Sequence, residues 1–338
     1  MAKLARVVMM LAWIAAVGCG GPESGTAPGS EAQPSEPGAA PASSASPSST
    51  PAPGTTSSAT PTTPVADSSP AADSSAPAAD SSTPAVDAFG VTMLYPTKSQ
   101  GETWSLAADP RADSQFDPQL TITQNGDGSW KIKSTQVRMD VATSSGYSLA
   151  SSSTQDRMTL ASRGYMQSPN DWKNVEITGF VKVNSGGADS HVTWYARGGR
   201  HNDSSPCEGS AYKGSLTSDG QMRFQKESWH VDYDQSPYAS VTSSYLGRWI
   251  GFKVVIRNTT VGGVPAVHME GWLNDSADKV SWKKVYSFDD AGAWGGNSTY
   301  CGGTDDKMIL SWGGPYAVFR WDDSPDVDFK WMSVREIG

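Results

Sequence analysis

Apolar residues in the second half of this chain fall at every other position. Val137, Met139 and Val141 alternate with Gln136, Arg138 and Asp140. The same period returns in Val175, Ile177, Val181 and Val183, in Val192, Trp194 and Ala196, in Phe252, Val254 and Ile256, and in Val267, Met269 and Leu273. A period of two puts successive side chains on opposite faces, so each run reads as a strand with one buried face. No comparable helical period appears in the sequence. Turn residues punctuate the runs at Asn125-Gly126-Asp127-Gly128, Ser218-Asp219-Gly220, Gly262-Gly263 and Gly313-Gly314-Pro315. Many strands at short spacing make an all-β sandwich or barrel.

The first part of the chain has no such pattern. Gly20 to Asp87 is almost entirely Ser, Pro, Ala, Thr and Gly, without an aromatic residue and with only Val65 and Val86 as branched aliphatics. Such a segment cannot bury enough apolar area to offset the entropy of ordering it, and it reads as a solvated spacer. Asp-Ser-Ser repeats at 67, 73 and 80 end it. Before it, Lys3 and Arg6 precede the apolar run Val7 to Val17, which is too short to span a bilayer and reads as an export signal. Ala16-Val17-Gly18-Cys19 resembles the lipobox of bacterial lipoproteins. That resemblance implies cleavage before Cys19, a lipid on its sulfur, and an exported protein anchored to the cell envelope, at the outer membrane or cell surface. Contact with membrane is then expected through the anchor only. The expected organisation is a signal peptide over 1–18, a lipid-anchored disordered linker over 19–88 and one β-sandwich domain over 89–338. Twelve of the thirteen Trp lie from Trp104 onward, so the core-forming content sits in that last segment.

The chain carries a formal charge of −9 without a Lys/Arg block, which argues against nucleic acid as a partner. Beyond Cys19 there are only Cys207 and Cys301, and in an exported chain these are expected to pair. A metal site on two cysteines without clustered histidines is a poor zinc site.

The closing stretch Asp326 to Ile337 resembles the last strand of concanavalin-like jelly rolls, in which that strand runs through the middle of a sheet. The resemblance implies a jelly-roll β-sandwich over 89–338. This fold serves lectins, carbohydrate-binding modules, glycosidases and polysaccharide lyases, so it does not choose the function.

Polar strand faces supply the candidates. Alternation puts His191, Thr193, Tyr195 and Arg197 opposite Val192, Trp194 and Ala196, with Arg200 and His201 just beyond. Tyr212 and Lys213 follow, then Arg223, Lys226, Glu227, Trp229, His230 and Tyr233 on a strand whose parity slips between Phe224 and Trp229, as at a bulge. His268, Glu270 and Trp272 make a third strip. Gln136, Arg138 and Asp140 make a fourth, in which Arg138 and Asp140 also read as ordinary cross-strand pairing. Trp249, Trp282, Trp294, Trp312, Trp321 and Trp331 read as packing. If the four strips share one sheet, their aromatic rings and cations line a groove suited to a polysaccharide, with uronate units matching the cations.

Three function classes remain open. Elimination from a uronate polymer needs a neutralised carboxylate, a base and an acid. By resemblance to jelly-roll lyases, Arg197 or Arg200 would neutralise, His201 or His230 abstract the proton, and Tyr195 or Tyr233 protonate the leaving oxygen. Lys213, Arg223, Lys226, Trp229, Gln136, Arg138 and Trp272 would bind substrate. A non-catalytic, lectin-like binding protein would use the same aromatics and cations without cleavage. A glycoside hydrolase would need paired carboxylates, with Glu227, Asp232, Asp234 and Glu270 as the candidates. None of these requires a cofactor. Acidic loops at Asn274-Asp275 with Asp278, at Asp305-Asp306, and at Asp322-Asp323 with Asp326 and Asp328 offer oxygen ligands for a structural calcium.

Overall fold

The computed structural model describes residues 84–144, 171–199, 206–301 and 307–338. These belong to a compact unit running from Pro77 to Gly338. The expected signal peptide, Cys19 and nearly all of the linker lie outside the described residues.

The alternating runs pair into two eight-stranded antiparallel sheets, stacked as a jelly-roll β-sandwich. The first sheet runs β14 (Lys283–Asp290), β13 (Val264–Asn274), β12 (Ile250–Val261), β6 (Val175–Ser185), β16 (Asp326–Glu336), β4 (Trp130–Ile132) and β3 (Thr123–Gln124), with β1 (Thr103–Ser105) also on β16. The second runs β10 (Asp232–Gln235), β9 (Gln221–Ser228), β8 (Ala211–Thr217), β7 (His191–Gly198), β15 (Tyr316–Asp322), β5 (Gln136–Ala142) and β2 (Phe116–Asp117), with β11 (Ala239–Ser240) on β9. β16 lies inside the first sheet, where the resemblance put it. Among the described residues no helix is long and apolar enough to cross a membrane.

The inner faces interdigitate around aromatic rings. Trp194 meets Phe319 edge-on at 4.9 Å and donates its indole N–H to the carbonyl of Phe252 at 3.1 Å, which ties β7 to the opposite sheet. Gly179 permits this approach, because a Cβ there would come within 2.9 Å of the Trp194 ring. Cys207 and Cys301 form the expected disulfide.

A strap from Val91 to Thr97 crosses the outer face of the first sheet. The buried Glu176 carboxylate holds it, accepting from the backbone N–H groups of Leu94 and Tyr95 while Lys253 and Arg335 neutralise it at 2.6 and 2.7 Å. Tyr95 adds a hydrogen bond from its hydroxyl to Glu270. The polar outer face of the second sheet carries most of the residues singled out in the sequence.

Candidate functional site

Cross-strand register decides which polar residues meet. On the outer face of the second sheet, Tyr195 of β7 stands opposite Lys213 of β8, and Glu227 of β9 stands opposite Tyr233 of β10. The Glu227 carboxylate, 5% exposed, takes the Lys213 ammonium at 2.6 Å and His230 Nδ1 at 2.6 Å. Tyr233 brings its hydroxyl within 2.6 Å of the same nitrogen. The Lys213 ammonium lies 5.3 Å from the ring centres of both Tyr195 and Tyr233.

Charges around this cluster set its protonation. Burial would raise the Glu227 carboxyl, but Lys213 and His230 outweigh it and hold the group down to about 2. Burial pushes the Tyr195 phenol up, against the pull of Arg320 and Arg138, and burial together with Glu227 pushes the Tyr233 phenol up. Both phenols therefore stay protonated and can give a proton, whereas Glu227 cannot. Burial also depresses the Lys213 ammonium, with Glu227 opposing.

A second polar group adjoins the first across β15 and β5. Arg320 grips Asp322 with two bonds, Nε to Oδ2 at 2.6 Å and Nη2 to Oδ1 at 2.9 Å, and Gln136 donates to Asp322 Oδ1 at 3.0 Å. His191 Nε2 lies 3.5 Å from the same carboxylate. Arg138 is the direct cross-strand neighbour of Arg320, and its buried Nε has no hydrogen-bond partner. Two guanidinium groups side by side, one with a donor unmet, form a place where an anion is wanted.

The turn that presents His230 is strained. Val231 N–H bonds the carbonyl of Ser228, and the two central residues, Trp229 and His230, have φ of 58° and 59°. This type I′ turn ordinarily takes Asn-Gly, since a side chain in the left-handed region costs roughly 1–2 kcal/mol. Burial of Trp229 holds it: the indole is fully buried and stacks on Trp312 with ring centres 5.3 Å apart and planes 6° apart. Gly209 lies against the turn from below, where a Cβ would fall 2.6 Å from that of His230.

Several sequence expectations are corrected by these positions. Three of the four polar strips share this face, but His268, Glu270 and Trp272 lie on the outer face of the first sheet, where Trp272 donates to Glu270 at 2.8 Å. β9 has no bulge: its register with β8 is unbroken from Met222 to Glu227. Lys226 consequently points into the sandwich, bonding Asp290 at 2.8 Å and the carbonyl of Trp294 at 2.9 Å. Trp229 packs inside the turn and offers no surface to a ligand. A bulge does occur between β15 and β7, where the register shifts at Tyr316/Ala317 and Arg197 has φ 85°. Arg197 is thereby buried, bonding the carbonyls of Lys173 and Leu310 and the side chain of Asn258. Burial pushes its guanidinium down to about 10.

Tyr195, Lys213, His230, Tyr233, Gln136 and Arg138 do share the face. Arg223 stands at its edge, bonded to Gln235 and over the Tyr238 ring at 4.4 Å. Arg200 and His201 lie outside the described residues. Arg320 was missed and Asp322 was considered only as a calcium ligand, although Phe319, Arg320, Trp321 and Asp322 carry the same alternation that marked the other strands.

Several of the carboxylates considered for calcium have other partners. Asp322 holds Arg320, Asp326 and Asp328 hold Lys131, and Asp278 accepts from Asn274 and the backbone of Val280 and Ser281. Asp305 and Asp306 lie outside the described residues. Among the described residues no group of three or more His, Cys, Asp or Glu is placed to hold a metal ion.

No family model and no curated protein matches the chain. Among solved structures it is similar to the carbohydrate binding module CBM66 from Bacillus subtilis, at 9% identity and a TM-score of 0.35, over 71% of this chain and 99% of that one. A superposition so loose transfers no residue and no role.

Proposed function

We propose that the chain is a carbohydrate-binding protein whose second sheet takes an acidic polysaccharide on its outer face. The observation that carries this is the meeting of Arg138, Arg320 and Lys213 with two protonated tyrosines on one sheet face, with the Arg138 Nε donor unmet. Guanidinium groups match sugar carboxylates in geometry and charge, and phenol rings pack on the apolar faces of sugar rings while their hydroxyls hydrogen-bond. We place this face outside the cell, on a domain held to the envelope by a lipid on Cys19. The test is retardation of the full chain in gels containing uronate or neutral polymers. Retardation is expected in a uronate polymer and is expected to weaken in Arg138→Gln. Equal retardation of both proteins in every gel would overturn the reading.

A second reading, cleavage by β-elimination, is favoured by the contact among His230, Tyr233 and Glu227. The imidazole would take the C5 proton, Tyr233 or Tyr195 would protonate the departing glycosidic oxygen, the C4–O bond would break and a C4=C5 double bond would form. The arginines would hold the carboxylate through the charged intermediate. Ultraviolet absorbance of the unsaturated product decides it: a rise that disappears in His230→Ala supports elimination, and a flat trace with retained binding leaves the binding protein alone.

A further inference from the structure

β16 breaks its own alternation on the far side of the molecule. Its register with β6 shifts between Lys330 and Ser333, so Trp331 and Met332 together oppose one residue, and Trp331 takes a left-handed φ of 50°. Phe329 and Met332 remain in the core. The extra residue therefore sends two consecutive side chains, Lys330 and Trp331, to the outer face of the first sheet. Bulges that re-aim side chains in this way concentrate at functional positions, and the left-handed backbone of a bulky residue persists only where surrounding contacts hold it.

The two side chains join a ladder of cations and indoles. The Lys330 ammonium lies 3.9 Å from the ring centre of Trp249 and 4.1 Å from that of Trp331. Lys279 lies 3.9 Å from Trp331 and Lys182 lies 5.7 Å from Trp249. Trp249, Trp331, Lys279 and Lys330 are all half-buried. Lys182 pairs with Asp328 at 3.0 Å and Lys279 donates to the carbonyl of Phe89 at 2.9 Å, but neither Lys330 nor Lys279 makes an ion pair with a described carboxylate. Burial depresses the Lys330 ammonium; Asp127 counters this, while Lys279 and Lys182 add to it. Trp331 also covers the buried Phe180, edge to face at 5.1 Å. Sealing Phe180 explains where the indole sits, but not why two ammonium groups without carboxylate partners are gathered on it.

We infer that this bulge builds a second binding site for an anionic sugar unit, with Lys330 and Lys279 meeting its carboxylate and Trp249 and Trp331 packing on its ring. The inference rests on the reading of the protein as a binder of acidic polysaccharide and adds that it grips such a polymer on both sheets. One chain could then join two polymer strands.

Calorimetric titration of the full chain with a short polygalacturonate oligomer tests it, beside Lys330→Gln, Lys213→Gln and the double variant. Two oligomers per wild-type chain are expected. Lys330→Gln should weaken one site by about tenfold or more, as loss of a charged hydrogen bond does, and leave the other. Lys213→Gln should do the reverse. One oligomer per chain, lost in Lys213→Gln and unaffected by Lys330→Gln, would overturn this inference and leave the first site standing. Binding lost only in Lys330→Gln would keep the site on β16 and remove the one on the second sheet. No binding by any protein would remove both. Sedimentation with vesicles containing phosphatidylglycerol completes the test: if Lys330→Gln abolishes vesicle binding but leaves both oligomer sites, the surface meets lipid headgroups and the inference fails.

Discussion

Replacing Glu227 with Gln tests the electrostatics of the candidate site directly. The side chain keeps its shape, but the Lys213 ammonium, itself 4% exposed, loses the carboxylate 2.6 Å away while Arg138 and Arg320 stay close enough to repel it. Breaking a buried ion pair by removing one partner costs about 3–5 kcal/mol. An independent route gives a similar figure. Glu227 titrates at about 2 in the folded chain against an ordinary value of 4.5. At roughly 1.4 kcal/mol per pH unit this gap is about 3 kcal/mol. Because the folded value is the lower one, this contribution is complete above pH 4.5 and drains away as the pH falls towards 2. Urea unfolding at pH 7 should therefore separate wild type from Glu227→Gln by about 3 kcal/mol, and the separation should shrink to about half or less by pH 3. A separation that is the same at both pH values would mean that the mutation acts through packing. A separation below about 1 kcal/mol at pH 7 would refute the charge argument outright.

Three further outcomes are expected. Asp290→Ala should destabilise the fold by about 3–5 kcal/mol by stranding Lys226, and Lys226→Met with Asp290→Leu should recover most of that loss, so additive losses in a denaturation cycle would count against the pairing. Trp229→Ala should cost about 3–5 kcal/mol and move the NMR resonances of the His230 backbone and ring, because the stacked indole holds the left-handed turn; unmoved His230 resonances would mean the turn keeps its shape without it. Cys207→Ser with Cys301→Ser should lower stability by about 4–5 kcal/mol in the chain-entropy picture for a closure of 94 residues, and calorimetry showing an unchanged melting temperature would contradict it.

Alternation located the strands because it is a local consequence of burying one face. It also placed Tyr195, Gln136 and Arg138 correctly on the outward side of their own strands. It could not say which sheet a strand joins, and so His268 and Trp272 were grouped with residues on the opposite side of the sandwich. That choice depends on pairing between distant segments, which leaves no periodic trace. Lys226 shows the same limit more sharply. It follows Met222 and Phe224 in phase, so parity pointed it inward, but a lysine is tolerable there only because Asp290, 64 residues on, meets it. The slip in parity between Phe224 and Trp229 that suggested a bulge comes instead from the left-handed turn at Trp229 and His230, which follows β9.

Two of the register shifts among the described strands, at Arg197 and at Lys330–Trp331, leave no mark in the local alternation, and they act in opposite senses. At Arg197 the extra residue withdraws an arginine from the proposed binding face and commits it to backbone carbonyls. At Trp331 it takes an indole that alternation would bury and turns it out beside two lysines. The run from His191 to His201 offered Arg197 or Arg200 as the neutralising cation, yet among the described residues that face gathers Arg138, Arg320 and Lys213 from three different strands. Arg138 and Arg320 are partners in the β5–β15 ladder, whereas Lys213 is held separately in the β7–β8 ladder. Substituting Lys213 should therefore alter affinity for an anionic ligand while the β5–β15 ladder keeps Arg138 and Arg320 in place, whereas substitutions at Arg138 and Arg320, as direct neighbours, should couple.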